Sequence, residues 1–112
     1  MSDAPFTHPA RLSPELREQI RQRSKQIFGN LDRLDVAVAV ALSEDGVVNA
    51  TDLSWSLQIA NNRVRAQLLA LTELGFLQPD EGGDSRKRQY LRLDDPFWET
   101  CLDLYRRWSE GG

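Results

Sequence analysis

Between positions 48 and 93 the chain carries an ordered series of local signals, and this series constrains the fold more than any other feature. A short segment with apolar residues at helical spacing follows Asn49, and a brief turn follows that segment. A second such segment begins with polar and basic residues and ends at Gly75. Two short apolar runs then enclose a loop with two adjacent glycines and the basic cluster 86–88. The series predicts two consecutive helices followed by an antiparallel β-hairpin.

Single residues mark the ends of the two helices. Asn49 is a predicted N-cap, and Asp52 occupies the capping-box position three residues later. Ile59 is the predicted apolar plug of the turn, and Asn61 is the predicted N-cap of the second helix. Gly75 stands where a helix end needs a left-handed residue. The inward face of the second helix is predicted to consist of Val64, Leu68, Leu71 and Leu74.

The first third of the chain predicts an arm and two further helices. Residues 1–10 lack periodicity and are expected to form a flexible N-terminal arm. Ser13 followed by Pro14 predicts a helix start, and Gly29 predicts its end near Phe28. Residues 31–42 alternate as a strand would, but their length and their alanines favour a buried helix. Val47 and Val48 then predict either a very short strand or an extended link.

The C-terminal segment predicts a last helix. Asp95 followed by Pro96 is typical of a capped helix start. Its apolar face is predicted to consist of Phe97, Cys101, Leu104, Tyr105 and Trp108. This face fits either intrachain core packing or a seam between two copies of the chain, and both alternatives stay open.

Size and composition predict one soluble domain. The chain has 112 residues, of which 40% are hydrophobic and 28% charged, so it can bury one modest core. No apolar run approaches the roughly 20 residues that span a membrane, and the N-terminus does not resemble a secretory signal. A single cysteine, Cys101, suits a reducing cytoplasm and, with a single histidine, His8, predicts no metal site. We expect Cys101 to be structural and His8 to be a surface residue.

The charge is segregated along the chain although the net charge is only −3. Residues 61–93 carry six cations and four anions, and residues 11–33 carry six cations and three anions. Residues 34–60 carry four anions and no cation. The acidic total argues mildly against a nucleic-acid partner, whereas the positive segments lie where such a partner would bind.

The apolar and turn positions together resemble the winged helix-turn-helix of MarR-like and ArsR-like bacterial transcriptional regulators. The residues that carry the resemblance are Asp52, Leu53, Leu57, Ile59, Val64, Leu68, Leu71, Gly75, Phe76 and Leu77. The resemblance covers about residues 34–93. It implies a mainly α (α+β) fold over 11–112, with a two-stranded wing and extra N- and C-terminal helices.

The resemblance also implies function. Helix 61–74 would read the major groove of double-stranded DNA, and the 78–90 wing would approach the minor groove or the adjacent phosphates. Asparagine can pair with adenine and arginine with guanine, while wing cations supply salt-dependent affinity. The expected DNA-binding residues are Asn61, Asn62, Arg63, Arg65, Ala66, Gln67, Arg86, Lys87 and Arg88. A cytoplasmic repressor, dimerising through its terminal helices and needing no cofactor, is the family-level expectation.

A second class of function stays open. The same fold can serve as a protein-protein interaction module without DNA binding, and the acidic total is compatible with that alternative. Trp55, Trp98 and Trp108 would then be candidate anchors, because tryptophan is enriched at interface hot spots. A regulatory protein partner is compatible with either class. No set of residues typical of catalysis stands out, so we expect no enzyme.

Overall fold

The structure, a computed structural model, describes residues 7–80 and 88–110, and these parts are mainly helical with a small antiparallel sheet. A short 3₁₀ turn at Pro9–Arg11 comes first. The helices and strands that follow are α1 (Pro14–Phe28), α2 (Arg33–Leu42), β1 (Val47–Asn49), α3 (Ala50–Leu57), α4 (Asn61–Glu73), β2 (Leu77–Asp80), β3 (Gln89–Arg92) and α5 (Pro96–Glu110).

Helix α1 begins and ends where its sequence predicts. The Ser13 side chain accepts a hydrogen bond from the Leu16 amide at 3.2 Å, and Pro14 occupies the first turn. Gly29 ends the helix with φ of 76°, a left-handed conformation that suits glycine. The helix packs on α2 and α5 with Ile20 fully buried, whereas Ile27 near its C-terminal end is 54% exposed.

Helix α2 is the buried centre of the fold, as its apolar composition predicts. Every residue from Leu34 to Val40 is buried, and the helix contacts α1, α3, α4 and α5. The alternation that mimics a strand arises because alanines fill the positions between larger side chains. A helix with this composition buries all its sides, which requires neighbours on each of them.

The three strands form one antiparallel sheet in the order β1-β3-β2. The predicted hairpin is confirmed as the β2–β3 pair, with Leu77 opposite Arg92. Its second strand also pairs with β1, where Val48 lies opposite Tyr90, so the extended link predicted as one alternative is excluded. Strand β2 continues through Pro79 to Asp80.

Helix α5 covers the core with its aromatic face. The Asp95 side chain accepts a hydrogen bond from the Phe97 amide at 2.8 Å and caps the helix. Trp98 is 5% exposed, and Cys101 and Tyr105 are fully buried. Phe97 stacks on Phe76 with 4.0 Å between ring centroids. Most of this face is therefore intrachain core, and Trp98 is a core residue rather than an exposed anchor.

Arg92 joins the sheet to the central helix. Its Nη1 atom donates to the carbonyl oxygens of Val40, Ala41 and Ser43 at 2.8–2.9 Å. These carbonyls lie at the C-terminal end of α2, where helix geometry leaves acceptors without intrahelical donors and favours a positive charge. The guanidinium therefore caps α2 and holds β3 against it.

The described part of the expected N-terminal arm lies against the body of the protein. Pro9 is buried, and the Tyr105 hydroxyl donates to the Thr7 carbonyl. His8 Nδ1 accepts from the Ala10 amide at 3.1 Å, and its Nε2 lies 3.0 Å from Ser56 Oγ. Residues 7–10 are therefore held in place, which the lack of periodicity did not predict.

None of the helices in the described parts of the chain has both the length and the apolar character required to cross a bilayer.

Candidate functional site

The turn between α3 and α4 is built by a small set of local contacts. Gln58 adopts a left-handed conformation with φ of 57°, and Ile59 is 5% exposed and plugs the turn as predicted. The Ser54 hydroxyl donates to the Ile59 carbonyl at 2.6 Å, and the Ser54 carbonyl accepts from the Gln58 amide at 2.8 Å. These contacts fix the direction in which α4 leaves the turn.

Helix α4 begins one residue earlier than its polar residues suggest. Ala60 is the N-cap and makes no side-chain capping bond, while Asn61 is the first helical residue. The prediction of Asn61 as the N-cap is therefore wrong. Its Oδ1 is instead 3.5 Å from Arg65 Nη2, a long contact on the helix surface. Asn61 is half-buried, so it contributes less to the outer surface than expected.

In the first turns of α4, the inner face is buried and the outer face is exposed. Val64 and Leu68 are fully buried, so this side of the helix packs against the core. Asn62, Arg65 and Ala66 are exposed. Together with Arg63, whose side chain is 45% exposed, these residues form the outer surface near the start of α4.

Arg63 is held in an ion pair rather than pointing freely outward. Its Nε donates to Asp32 Oδ2 at 2.9 Å, and its Nη2 donates to Asp32 Oδ1 at 2.6 Å. Hydrogen bonding to Asp32 raises the pKa of Arg63. Asp32 precedes α2 and is 6% exposed, so this two-bond contact ties α4 to the start of α2. The Arg63 side chain nevertheless remains 45% exposed, and its role as a DNA-binding residue stays a prediction.

Gln67 belongs to the interior and not to the candidate surface. It is 4% exposed, and its Oε1 accepts from Arg33 Nε at 2.6 Å. By helix geometry it lies beside Val64 and Leu71 rather than beside Asn62. The expectation of Gln67 as a DNA-binding residue is corrected for this reason.

The basic cluster of the hairpin is only partly described. Arg88 is exposed and directly precedes β3. Arg86 and Lys87 lie outside the described residues. The described part of the cluster is therefore one exposed arginine at the loop end of the hairpin.

Much of the positive charge in residues 11–33 is used within the fold. Arg17 donates to the Leu57 carbonyl and lies 3.5 Å from Asp35. Arg21 lies 3.1 Å from Glu18 and 3.6 Å from Asp32. The number of cations counted in this segment of the sequence is therefore larger than the number available on the surface.

Exposed apolar side chains lie on and next to α3 and α4, and sequence reasoning identified only Trp55 among them as a candidate surface anchor. Trp55 on α3 is 81% exposed, Leu69 on α4 is 45% exposed, and Leu74, which follows α4, is 59% exposed. The expectation that Leu74 belongs to the inward face is wrong. Leu69 could have been identified, because its spacing from Asn62 and Ala66 places all three on one side of a helix. The outer surface of α4 is therefore mixed, with neutral, apolar and charged groups.

Cys101 and His8 carry potentially reactive side chains, but the surroundings of both indicate a structural role. Cys101 is buried, and burial raises the pKa of its thiol to about 12. His8 is half-buried, and burial with the nearby Arg11 and Arg17 lowers its pKa. Among residues 7–80 and 88–110, no cluster of three or more His, Cys, Asp and Glu side chains is placed to hold a metal ion.

The different settings of Arg63 and Arg65 predict different effects of their replacement. Arg63→Ala should lower the free energy of unfolding by about 1–2 kcal/mol, because the buried Asp32 carboxylate loses its two-bond partner and, among the described residues, keeps the more distant Arg21 as its cation. Arg65→Ala should change it by less than about 0.5 kcal/mol, because its side chain is exposed. Urea unfolding of both variants measures these changes in the free energy of unfolding. Equal effects would contradict the structural role given to the Arg63–Asp32 pair.

No protein family, curated protein or solved structure matches this chain.

Proposed function

We propose that this chain is a DNA-binding transcriptional regulator of the winged helix-turn-helix type, with α3 and α4 as the helix pair and β2–β3 as the wing. The observation that carries the proposal is the outer face of α4, where Asn62, Arg65 and Ala66 are exposed while the opposite face is locked into the core. A rigidly mounted helix with small and polar outer groups fits the major groove, whose width admits one helix.

The order of elements supports this proposal. A three-residue turn separates α3 from α4, and an antiparallel hairpin follows α4 directly. In winged helix-turn-helix proteins that order puts the second helix in the major groove and the hairpin beside the backbone. On this proposal Arg65 and Arg88 contact phosphates, and Asn62 contacts a base edge. Arg63 acts as a positioning residue that fixes α4 against α2.

Repression through operator occupancy follows from the resemblance, as does dimerisation. A two-fold dimer would place two copies of α4 about 34 Å apart, one helical turn of DNA. Because the aromatic face of α5 is largely covered within the chain, a dimer would use the outer residues of α1 and α5. Ile27 on α1, which is 54% exposed, is a suitable contact.

A second candidate function is a protein-binding module. Trp55, which is 81% exposed on α3, favours it, because a large exposed tryptophan is an effective interface anchor. The pairing of Arg63 with Asp32 also reduces the positive field that DNA binding requires. A salt titration of DNA binding separates the two candidates.

Salt titration of DNA binding tests the proposal. Wild-type protein should bind mixed duplexes of about 30 base pairs at low salt, and the affinity should fall steeply as salt rises. Arg65→Ala and Arg88→Ala should each reduce the slope of log K against log salt by about 0.9 per lost phosphate contact. The stoichiometry at saturation reports whether one or two chains bind each site.

Arg107→Ala is the matched control for these variants. Arg107 lies on α5, its side chain is 68% exposed, and it pairs with Asp103. Removing it changes the net charge by the same amount outside the helix pair and the hairpin, so the slope should not change. Absence of binding at low salt would exclude the regulator and favour the protein-binding module.

A further inference from the structure

We propose that the outer face of α4 reads A·T base pairs, with Asn62 on the adenine edge and with Leu69, assisted by Ala66, against the 5-methyl group of thymine. This inference rests on the proposed DNA binding and specifies what that site recognises. It is carried by the composition of one stripe of the helix surface.

Helix geometry places Asn62, Ala66 and Leu69 on one line along α4. At about 100° per residue they fall within roughly 60° of one another, opposite the buried Val64 and Leu71. All three are exposed, and Leu69 as a residue is 45% exposed. With a rise of about 1.5 Å per residue, the line from Asn62 to Leu69 is about 10 Å long. That length corresponds to about three base-pair steps.

The chemistry of this line matches the major-groove edge of A·T pairs. Adenine presents an acceptor and a donor that an asparagine amide can meet with two bonds, and thymine presents a methyl group that apolar side chains contact. Ala66 allows close approach, and Leu69 supplies an apolar surface that gains by leaving water. Guanine offers two acceptors to a cation, and the exposed cation nearest to this line, Arg65, lies on its flank about 40° from Leu69.

The nearby arginines are placed to contact groups other than base edges. Arg63 is held by both carboxylate oxygens of Asp32. Arg65 lies about 60° around the helix from Asn62, toward the flank that would face a phosphate backbone. Glu73 continues the line beyond Leu69 and is exposed, and its carboxylate would be repelled by phosphates. Base reading is therefore confined to the stretch from Asn62 to Leu69.

The test begins with selection of duplexes from a randomised pool by the wild-type protein. We expect the selected sequences to contain short A·T runs. The best-bound duplex is then made again with uracil in place of thymine, which removes the methyl group and keeps the pairing edge. Uracil should weaken wild-type binding about 3- to 10-fold at fixed salt, with an unchanged salt slope because the phosphates are the same.

Two exposed leucines provide matched variants. Leu69→Ala should bring the thymine-to-uracil affinity ratio close to one. Leu74→Ala removes a leucine that is 59% exposed but lies on another side of the helix, and it should keep the wild-type ratio. Both substitutions are on the surface, so the fold should be retained. Arg65→Ala should weaken binding to both duplexes equally.

The outcomes separate this inference from the proposed function. Salt-dependent binding without A·T selection, or with equal affinity for thymine and uracil duplexes, would overturn the reading of A·T pairs while DNA binding stands. A pool in which no duplex is bound would overturn both. An A·T-rich selection with a methyl effect that disappears only in Leu69→Ala would establish the inference.

Discussion

Replacing Arg92 with methionine is expected to lower the free energy of unfolding by about 3 kcal/mol. The side chain donates from one nitrogen to three carbonyl oxygens at the end of α2, with N···O distances of 2.8–2.9 Å. Hydrogen bonds to a charged group contribute about 1.5–3 kcal/mol, and the three bonds share one donor nitrogen, so they are not additive. Val40 is fully buried, which limits replacement of the guanidinium by water.

The measurement is guanidinium chloride unfolding at neutral pH, followed by circular dichroism. Arg92→Lys keeps a cation near the end of α2 but lacks the planar guanidinium, so it should lose less than methionine does. Arg107→Met is the control for removing an exposed arginine from the surface. A loss in Arg92→Met no larger than in this control would contradict the capping role. Because Arg92 holds β3 against α2, the same variant should weaken the attachment of the hairpin.

Local signals in the sequence predict most element boundaries of this fold. Ser13, Gly29, Asn49 and Gly75 act as the caps that their residue types predict, because capping depends on a few neighbouring backbone groups. The burial of α2 also follows from composition alone. Strand β1 is different, since its three residues become a strand only through pairing with residues 40–44 positions further along the chain.

The composition of the site was harder to predict, because the decisive contacts are distant in sequence. Asp32 and Arg63 are 31 residues apart, and Arg33 and Gln67 are 34 apart. Periodicity assigns a residue to a face, but it does not reveal which cation on that face meets a buried carboxylate. Periodicity predicts Arg63 on the outer face and Gln67 nearer the edge of the core, but it does not predict that both side chains hold α4 against the start of α2.

Because Asp35 is buried, we expect its contribution to stability to change with pH differently from that of a surface carboxylate. It is 1% exposed, and neither carboxylate oxygen has a hydrogen-bond donor within the described residues. Burial raises its pKa from 3.8 to about 6, although Arg17 and Arg21 oppose this effect and Asp32 adds to it. Tyr105 is nearby, and burial together with Asp35 raises the pKa of its hydroxyl.

The direction of the effect follows from the raised pKa. The folded state binds the Asp35 proton more tightly than the unfolded state, so the stabilisation is complete below about pH 4. It is lost as the pH rises from about 4 through about 6, and the loss is complete above that range. Between about pH 4 and pH 7 this group should lower the free energy of unfolding by about 2 kcal/mol.

Asp35→Asn isolates this contribution, because asparagine has nearly the same shape and does not titrate. The free energy of unfolding of the variant, minus that of the wild type, should rise by about 2 kcal/mol from about pH 4 to pH 7. Asp103→Asn, which removes a carboxylate that is 59% exposed on α5, controls for the change in net charge. Direct titration of the Asp35 carboxyl carbon by NMR gives the pKa independently. A midpoint near the ordinary value of 3.8, with a flat difference between wild type and Asp35→Asn, would show that the Arg17 guanidinium fully compensates for burial.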